Sequence, residues 1–115
     1  MKIYLAGPMQ GYPQFNFPAF FKAAKKLRTK GHYVFNPASR DISEHGKKIM
    51  NNPTGELSKI DSSVKFSLRG ALSADTKFIC EEADAIAVLP GWEYSKGATA
   101  EHALGIALGL KFIYL

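Results

Sequence analysis

The run Ala85-Ile86-Ala87-Val88-Leu89-Pro90 constrains the fold most. It is almost wholly apolar, as a strand covered on both faces is, and such strands belong to parallel sheets flanked by helices. Residues 2–6, KIYLA, form a second short β-rich run, ended by Gly7-Pro8. Residues 32–37, HYVFNP, form a third, stopped by Asn36-Pro37, and KFIYL closes the chain. Between these runs the periodicity changes to that of helices.

From about Phe17 to Lys30, Phe20, Ala23, Ala24 and Leu27 recur at helical spacing, with Lys22, Lys25, Lys26 and Arg28 between them. Asn16 is placed as N-cap, Pro18 in the first turn and Gly31 at the end. Residues 67–83 repeat the pattern through Leu68, Ala71, Leu72, Phe78 and Ile79, with Arg69 and Asp75 at polar positions. A last helix runs from about Ala98 to Leu108, before Gly109. Residues 38–65 are polar and without sustained periodicity, and read as a long loop with a short helical piece. The order β-α-β-loop-α-β-α-β predicts an α/β fold: an open parallel sheet of four or five strands, helices on both faces, in Rossmann-like or flavodoxin-like order.

At 115 residues the chain makes one domain, residues 1–115. Its 46% hydrophobic and 22% charged residues fit a globular protein and argue against disorder. No apolar run approaches the ~20 residues of a membrane span, and the first residues lack a signal-peptide core, so a soluble, cytoplasmic protein is expected. A lone cysteine, Cys80, excludes an internal disulfide and reads as a small core residue. The net charge of +5 favours anionic partners, either nucleic acid or a small phosphate-bearing molecule.

In open parallel sheets ligands bind beyond the carboxyl ends of the strands, where the strand order reverses. The glycine-containing loops after Gly7-Pro8 and Pro90-Gly91 are expected to face each other there. SKGATAEHALG, residues 95–105, follows the second loop and places Glu101 about one turn into a helix, among Ala98, Ala100 and Ala103. Glu101 is either a carboxylate favoured by the helix dipole or an acid facing the crevice. Ser95 can cap this helix and can offer a hydroxyl to a phosphate, while Gly97 allows close backbone approach. The loop GPMQG has neither the ending of a P-loop nor the spacing of a dinucleotide fingerprint. His32, His45 and His102 are scattered, so no metal site is expected. His102 points about 100° away from Glu101 around the helix, and no pair is expected. The basic face of Lys22, Lys25, Lys26, Arg28 and Lys30 lacks interleaved aromatics and reads as a solvated surface.

KIYLAGPM, FNFPAF, ADAIAVLPGW and SKGATAEHALGIALGL, in this order and spacing, resemble the nucleoside 2-deoxyribosyltransferase-like superfamily, most of all its small bacterial and phage branch, the DUF4406 group. The likeness covers residues 1–37 and about 67–115. It implies N-glycosidic bond chemistry without metal or organic cofactor. It also implies that Glu101 attacks the anomeric carbon and that Asp75 binds the sugar or handles the proton of the base. The first loop, with Gly7, Pro8, Met9, Asn16 and Phe17, and Tyr4 near it, would form the base and sugar pocket with Gly91, Trp92, Ser95 and Gly97.

Within that resemblance, serine at position 95, where deoxyribosyltransferases resemble D-x-G-x-x-x-E, implies a 5′-phosphate: a carboxylate would repel it and a hydroxyl would not. The expected activity is therefore cleavage of a (deoxy)nucleoside 5′-monophosphate. The alternatives are transfer of deoxyribose between bases, or non-catalytic nucleotide binding. A homodimer in the cytoplasm of a bacterium, or of the host of a phage, is implied; the site that larger transferases complete with a further C-terminal element is either left open here or closed by a neighbouring subunit. Trp92 and Tyr94 either stack on a base or pack between subunits. Residues 39–66, with His45 and their lysines, are either a phosphate lid or filler.

Overall fold

Residues 1–46, 52–59 and 67–115 are described by the computed structural model. Four strands, β1 (Lys2–Ala6), β2 (Tyr33–Phe35), β3 (Ala85–Val88) and β4 (Lys111–Tyr114), form one parallel sheet in the order β2-β1-β3-β4. Four helices flank it: α1 (Phe17–Thr29), α2 (Pro37–His45), α3 (Leu68–Glu81) and α4 (Lys96–Leu108). This is the open α/β sheet expected from the sequence, with four strands.

Alternation along β1 sorts its side chains into two cores. Ile3 and Leu5 pack with Phe17, Phe20, Ala24 and Leu27 of α1 and with Ala38 of α2. Tyr4 and Ala6 point the other way, among Phe78 and Ile79 of α3 and Ala98 of α4. Tyr4 is paired in register with Phe35 on one side and Ile86 on the other, so its ring lies under α3 and α4 at the middle of the sheet.

The short helical piece expected after residue 38 is α2, with a further 3-10 turn at Leu57–Lys59. Asn36, expected only to stop a strand, accepts a hydrogen bond from Ala38 N at 3.0 Å and so caps α2, with Pro37 in its first turn. Residues 52–59 then fold back on the first loop: Gln14 N donates to Asn52 O at 2.7 Å and Gly11 N to Gly55 O at 2.8 Å. The buried Asn52 side chain holds this strap by accepting from Gly55 N at 2.8 Å. Residues 47–51 and 60–66, with most of the expected lid lysines, lie outside the described residues, as does the side chain of His45.

Two local expectations are corrected. Asn16 caps nothing with its side chain. It adopts φ 62°, after Gln14 and Phe15 at similar positive values, and its amide donates to Pro8 O at 3.0 Å, tying the first loop to the start of α1. Cys80 is exposed, because it lies around α3 from the buried face of Asp75, Phe78 and Ile79. Among the described residues no helix is long and apolar enough to cross a membrane.

Candidate active site

The strand order reverses between β1 and β3, and a cavity of about 730 Å³ opens at their carboxyl ends, a size suited to a small ligand. The two loops meet there: a Cβ on Gly7 would fall 2.8 Å from Leu89 Cβ. Gly7, Pro8, Met9 and Tyr12 of the first loop line one wall, with Phe17 and Phe20 of α1 behind them. Ser95, the N-cap of α4, and Lys96, Gly97 and Glu101 of the helix line the opposite wall, and Leu57 of the strap borders the opening.

Three helices bring acids to the floor. On α4, Ala98, Glu101 and Gly105 share the face turned to the sheet, so Glu101 occupies what would otherwise be a core position and is 5% exposed. On α3, Asp75 shares a face with Phe78 and Ile79 and is 6% exposed. Its place is that of a buried residue, not the polar position expected of it. Between them stands Tyr4, whose hydroxyl lies 2.6 Å from Glu101 Oε2 and also bonds to Asp75. From α2 comes Arg40, with Nη2 3.3 Å from Asp75 Oδ1 and 2.7 Å from Asp41 Oδ1. Its Nη1 donates to Ala71 O at 3.0 Å.

Burial sets the electrostatics. Glu101 is pushed up from its ordinary 4.5 to about 8, first by burial. The Tyr4 hydroxyl bonded to its carboxylate opposes the rise, the negative charge of Asp75 adds to it, and the Arg40 cation opposes it. Tyr4 is held well above its ordinary 10.0, by burial and then by the charges of Glu101 and Asp75, and stays a neutral hydroxyl. At neutral pH the floor therefore holds a protonated Glu101 beside an Asp75 paired with a guanidinium.

At the rim, Ser95 Oγ accepts from Ala98 N at 3.1 Å and caps α4. Its hydroxyl proton remains available to an anion, next to the first backbone N–H groups of the helix. Gly97 is not required by packing, since an added Cβ would meet only Leu72 Cδ2 at 4.0 Å. What it preserves is open space in the cavity.

Of the residues expected to form the site, Tyr4, Gly7, Pro8, Met9, Phe17, Asp75, Ser95, Gly97 and Glu101 line the cavity. Asn16, Gly91 and Trp92 do not. Asn16 acts through Pro8, and Gly91, at φ 86°, leaves room for the Tyr12 hydroxyl. The Trp92 ring stacks one face on His102 with centroids 4.2 Å apart, while Tyr94, 91% exposed, stands at the rim. The basic side chains of α1 lie away from the cavity. Sequence reasoning missed Arg40, Asp41, Tyr12, Lys96 and Leu57. For Arg40 a signal existed, since Asn36-Pro37 opens a helix that carries position 40 one turn in.

A family model described as a domain of unknown function (DUF4406) matches residues 1–114. No curated protein and no solved structure matches the chain.

Proposed function

The chain belongs to the DUF4406 family, a domain of unknown function, and we propose from the chemistry of its crevice that it cleaves the N-glycosidic bond of a nucleoside 5′-monophosphate and releases the free base. The observation that carries this reading is the buried Asp75–Tyr4–Glu101 cluster on the floor of a ligand-sized cavity. Two carboxyl groups that share one proton match a reaction needing one anion and one acid.

In the first step a Glu101 carboxylate oxygen bonds to the anomeric carbon as the carbon–nitrogen bond breaks. The electron pair of that bond leaves on the base nitrogen, which takes a proton from Asp75. Water then gives a proton to the Asp75 carboxylate as its oxygen bonds to the anomeric carbon, which breaks the glycosyl ester, returns Glu101 as carboxylate and leaves the sugar 5′-phosphate. The phosphate is placed at Ser95, the N–H groups of Lys96 and Gly97, and the Lys96 ammonium, where the helix dipole and the cation both favour it. The resemblance of the sequence motifs to nucleoside 2-deoxyribosyltransferase-like proteins supports the same chemistry, and a nucleotide substrate assigns the protein to the cytoplasm. The reading extends to a homodimer: from Lys96 and Ala100 at the cavity, the outer face of α4 continues through exposed Ala103 and Ala107, apolar positions that a second subunit would cover beside the cavity mouth.

The test is incubation of the protein and its Glu101→Ala variant with nucleosides and their 5′-monophosphates, followed by chromatography for free base. Release from monophosphates by the native protein and not by the variant is expected. Release only in the presence of an acceptor base would assign a transferase, and no release at all would leave a binding protein.

A further inference from the structure

We propose that Arg40 is a positioning residue of this site: by pairing with Asp75 and not with Glu101, it keeps Asp75 anionic in the resting protein and directs the single shared proton to Glu101. The inference deepens the glycosidase reading and rests on it for its catalytic meaning, while its physical content stands on the geometry alone.

Among the described residues, the charged and titratable groups facing one another on the cavity floor come from four elements: Tyr4 from β1, Arg40 and Asp41 from α2, Asp75 from α3 and Glu101 from α4, with Lys96 at the rim. Two carboxyl groups, those of Asp41 and Asp75, thus contact one guanidinium, and the third, Glu101, meets the Tyr4 hydroxyl instead. In a site this buried they do not all ionise, because like charges in contact are not screened. The guanidinium decides which acids do. It reaches Asp41 at 2.7 Å and Asp75 at 3.3 Å, whereas the hydrogen-bond partner of Glu101 is the neutral hydroxyl of Tyr4 at 2.6 Å. Asp41 and Asp75 therefore ionise first and Glu101 last.

The same geometry argues against Arg40 as the phosphate anchor. Its Nη2 is engaged by two carboxylates and its Nη1 by Ala71 O at 3.0 Å. The anchor at Ser95–Gly97 remains the place for the phosphate.

This arrangement gives the reaction a defined proton inventory. In the resting site the Tyr4 hydroxyl stands between the two acids, donating to Glu101 Oε2 at 2.6 Å and also bonded to Asp75. When Glu101 gives up its proton and Asp75 takes one up by way of the Tyr4 hydroxyl, Glu101 becomes the anion that bonds to the anomeric carbon. Asp75 becomes the acid that protonates the base, Tyr4 is unchanged, and no charge is created or lost. Arg40 opposes this transfer in the resting site, so the anion appears on Glu101 only when the sugar arrives to use it.

The deciding experiment follows the carboxyl carbons of Asp75 and Glu101 by carbon-13 NMR as pH is raised, in the native protein, in Arg40→Lys and in Arg40→Leu. In the native protein Asp75 is expected to be ionised at neutral pH and Glu101 to titrate last. Arg40→Lys keeps that order, and Arg40→Leu raises the Asp75 midpoint by about 1–3 pH units. The proposal is overturned if Asp75 carries the proton at neutral pH in the native protein, or if its midpoint stays in place in Arg40→Leu. Should Arg40→Leu fail to fold, the native and Arg40→Lys titrations still decide. Base release, measured in parallel, keeps the two ideas apart: its absence from every nucleotide would remove the glycosidase reading and leave these titrations standing as the test of Arg40.

Discussion

The Tyr4 hydroxyl and Glu101 Oε2 lie 2.6 Å apart, brought together across 97 residues of sequence by the sheet register of β1 and the buried face of α4. A hydroxyl donated to a carboxylate stabilises the anion, so this contact restrains the rise that burial imposes on Glu101. In Tyr4→Phe the ring keeps its stacking on Phe35, with centroids 5.6 Å apart, and only the hydroxyl is lost. The Glu101 midpoint is expected to move above about 8. The stability cost should be only ~1 kcal/mol, and base release should fall by about 10²-fold or more. NMR titration of Glu101 beside a urea melt of the variant checks all three, and an unmoved midpoint would dissociate Tyr4 from Glu101.

Glu101 also makes stability depend on pH. Its folded value, about 8, lies above its ordinary 4.5, so the folded chain binds more protons than the unfolded chain between those values. The stability that neutral Glu101 contributes is fully present below about 4.5 and is lost as pH rises through about 8. At about 1.4 kcal/mol per pH unit the whole loss is on the order of a few kcal/mol. Glu101→Gln cannot ionise and escapes this loss. Urea melts at acid and alkaline pH should show the variant gaining on the native protein as pH rises, and parallel curves would contradict the burial assigned to Glu101.

Where the chain is punctuated by glycine and proline, the sequence already carries the fold. The limits of β1 are read to the residue, since Gly7-Pro8 can only end it, and the apolar Ala85–Val88 strand dictates a helix-covered sheet. The acid on α4 is legible because small residues surround it. What escapes is whatever depends on a partner distant in sequence. Asp75 has the spacing of a buried residue with Phe78 and Ile79, but its charge disguises that until Arg40 supplies the counter-ion. Arg40 in turn lies on a nine-residue helix too short to show a period. Trp92, which the sequence leaves between stacking on a base and packing between subunits, stacks one face on His102, 4.2 Å away, a contact that no local spacing announces.

Two glycines of α4 separate packing from function. At Gly105 an added Cβ would meet Ile86 Cδ1 at 2.6 Å and Phe112 Cζ at 2.9 Å, and Ile86 is wholly buried with nowhere to move. Gly105→Ala should therefore cost about 1–3 kcal/mol. At Gly97 the new methyl meets open cavity, so Gly97→Ala should not lower the melting temperature, since alanine favours the helix. It should raise KM for a nucleoside 5′-monophosphate about 10-fold or more, with little change for the nucleoside lacking phosphate. Thermal melts and the two KM values test the pair. A Gly97→Ala protein that binds both substrates equally well would move the phosphate away from Ser95.

The outer face of α4 gives a prediction about assembly. Ala100, Ala103 and Ala107 are exposed along one side of the helix, joined by Ile106 at 62% exposure. A surface helix ordinarily carries charge on the side turned to water. Small side chains in a row let a second helix approach closely, so the proposed dimer would pack on this face, where Lys96 and Ala100 reach the cavity mouth. In Ala103→Glu a carboxylate stands in the middle of that contact. Because Ala103 is exposed and glutamate is a good helix former, the monomer itself should lose less than about 0.5 kcal/mol. Light scattering after size exclusion should give twice the chain mass for the native protein and a single chain mass for Ala103→Glu, with the circular dichroism of the variant unchanged. A native protein that runs as a monomer, or a variant that remains dimeric, would reject this face as the interface.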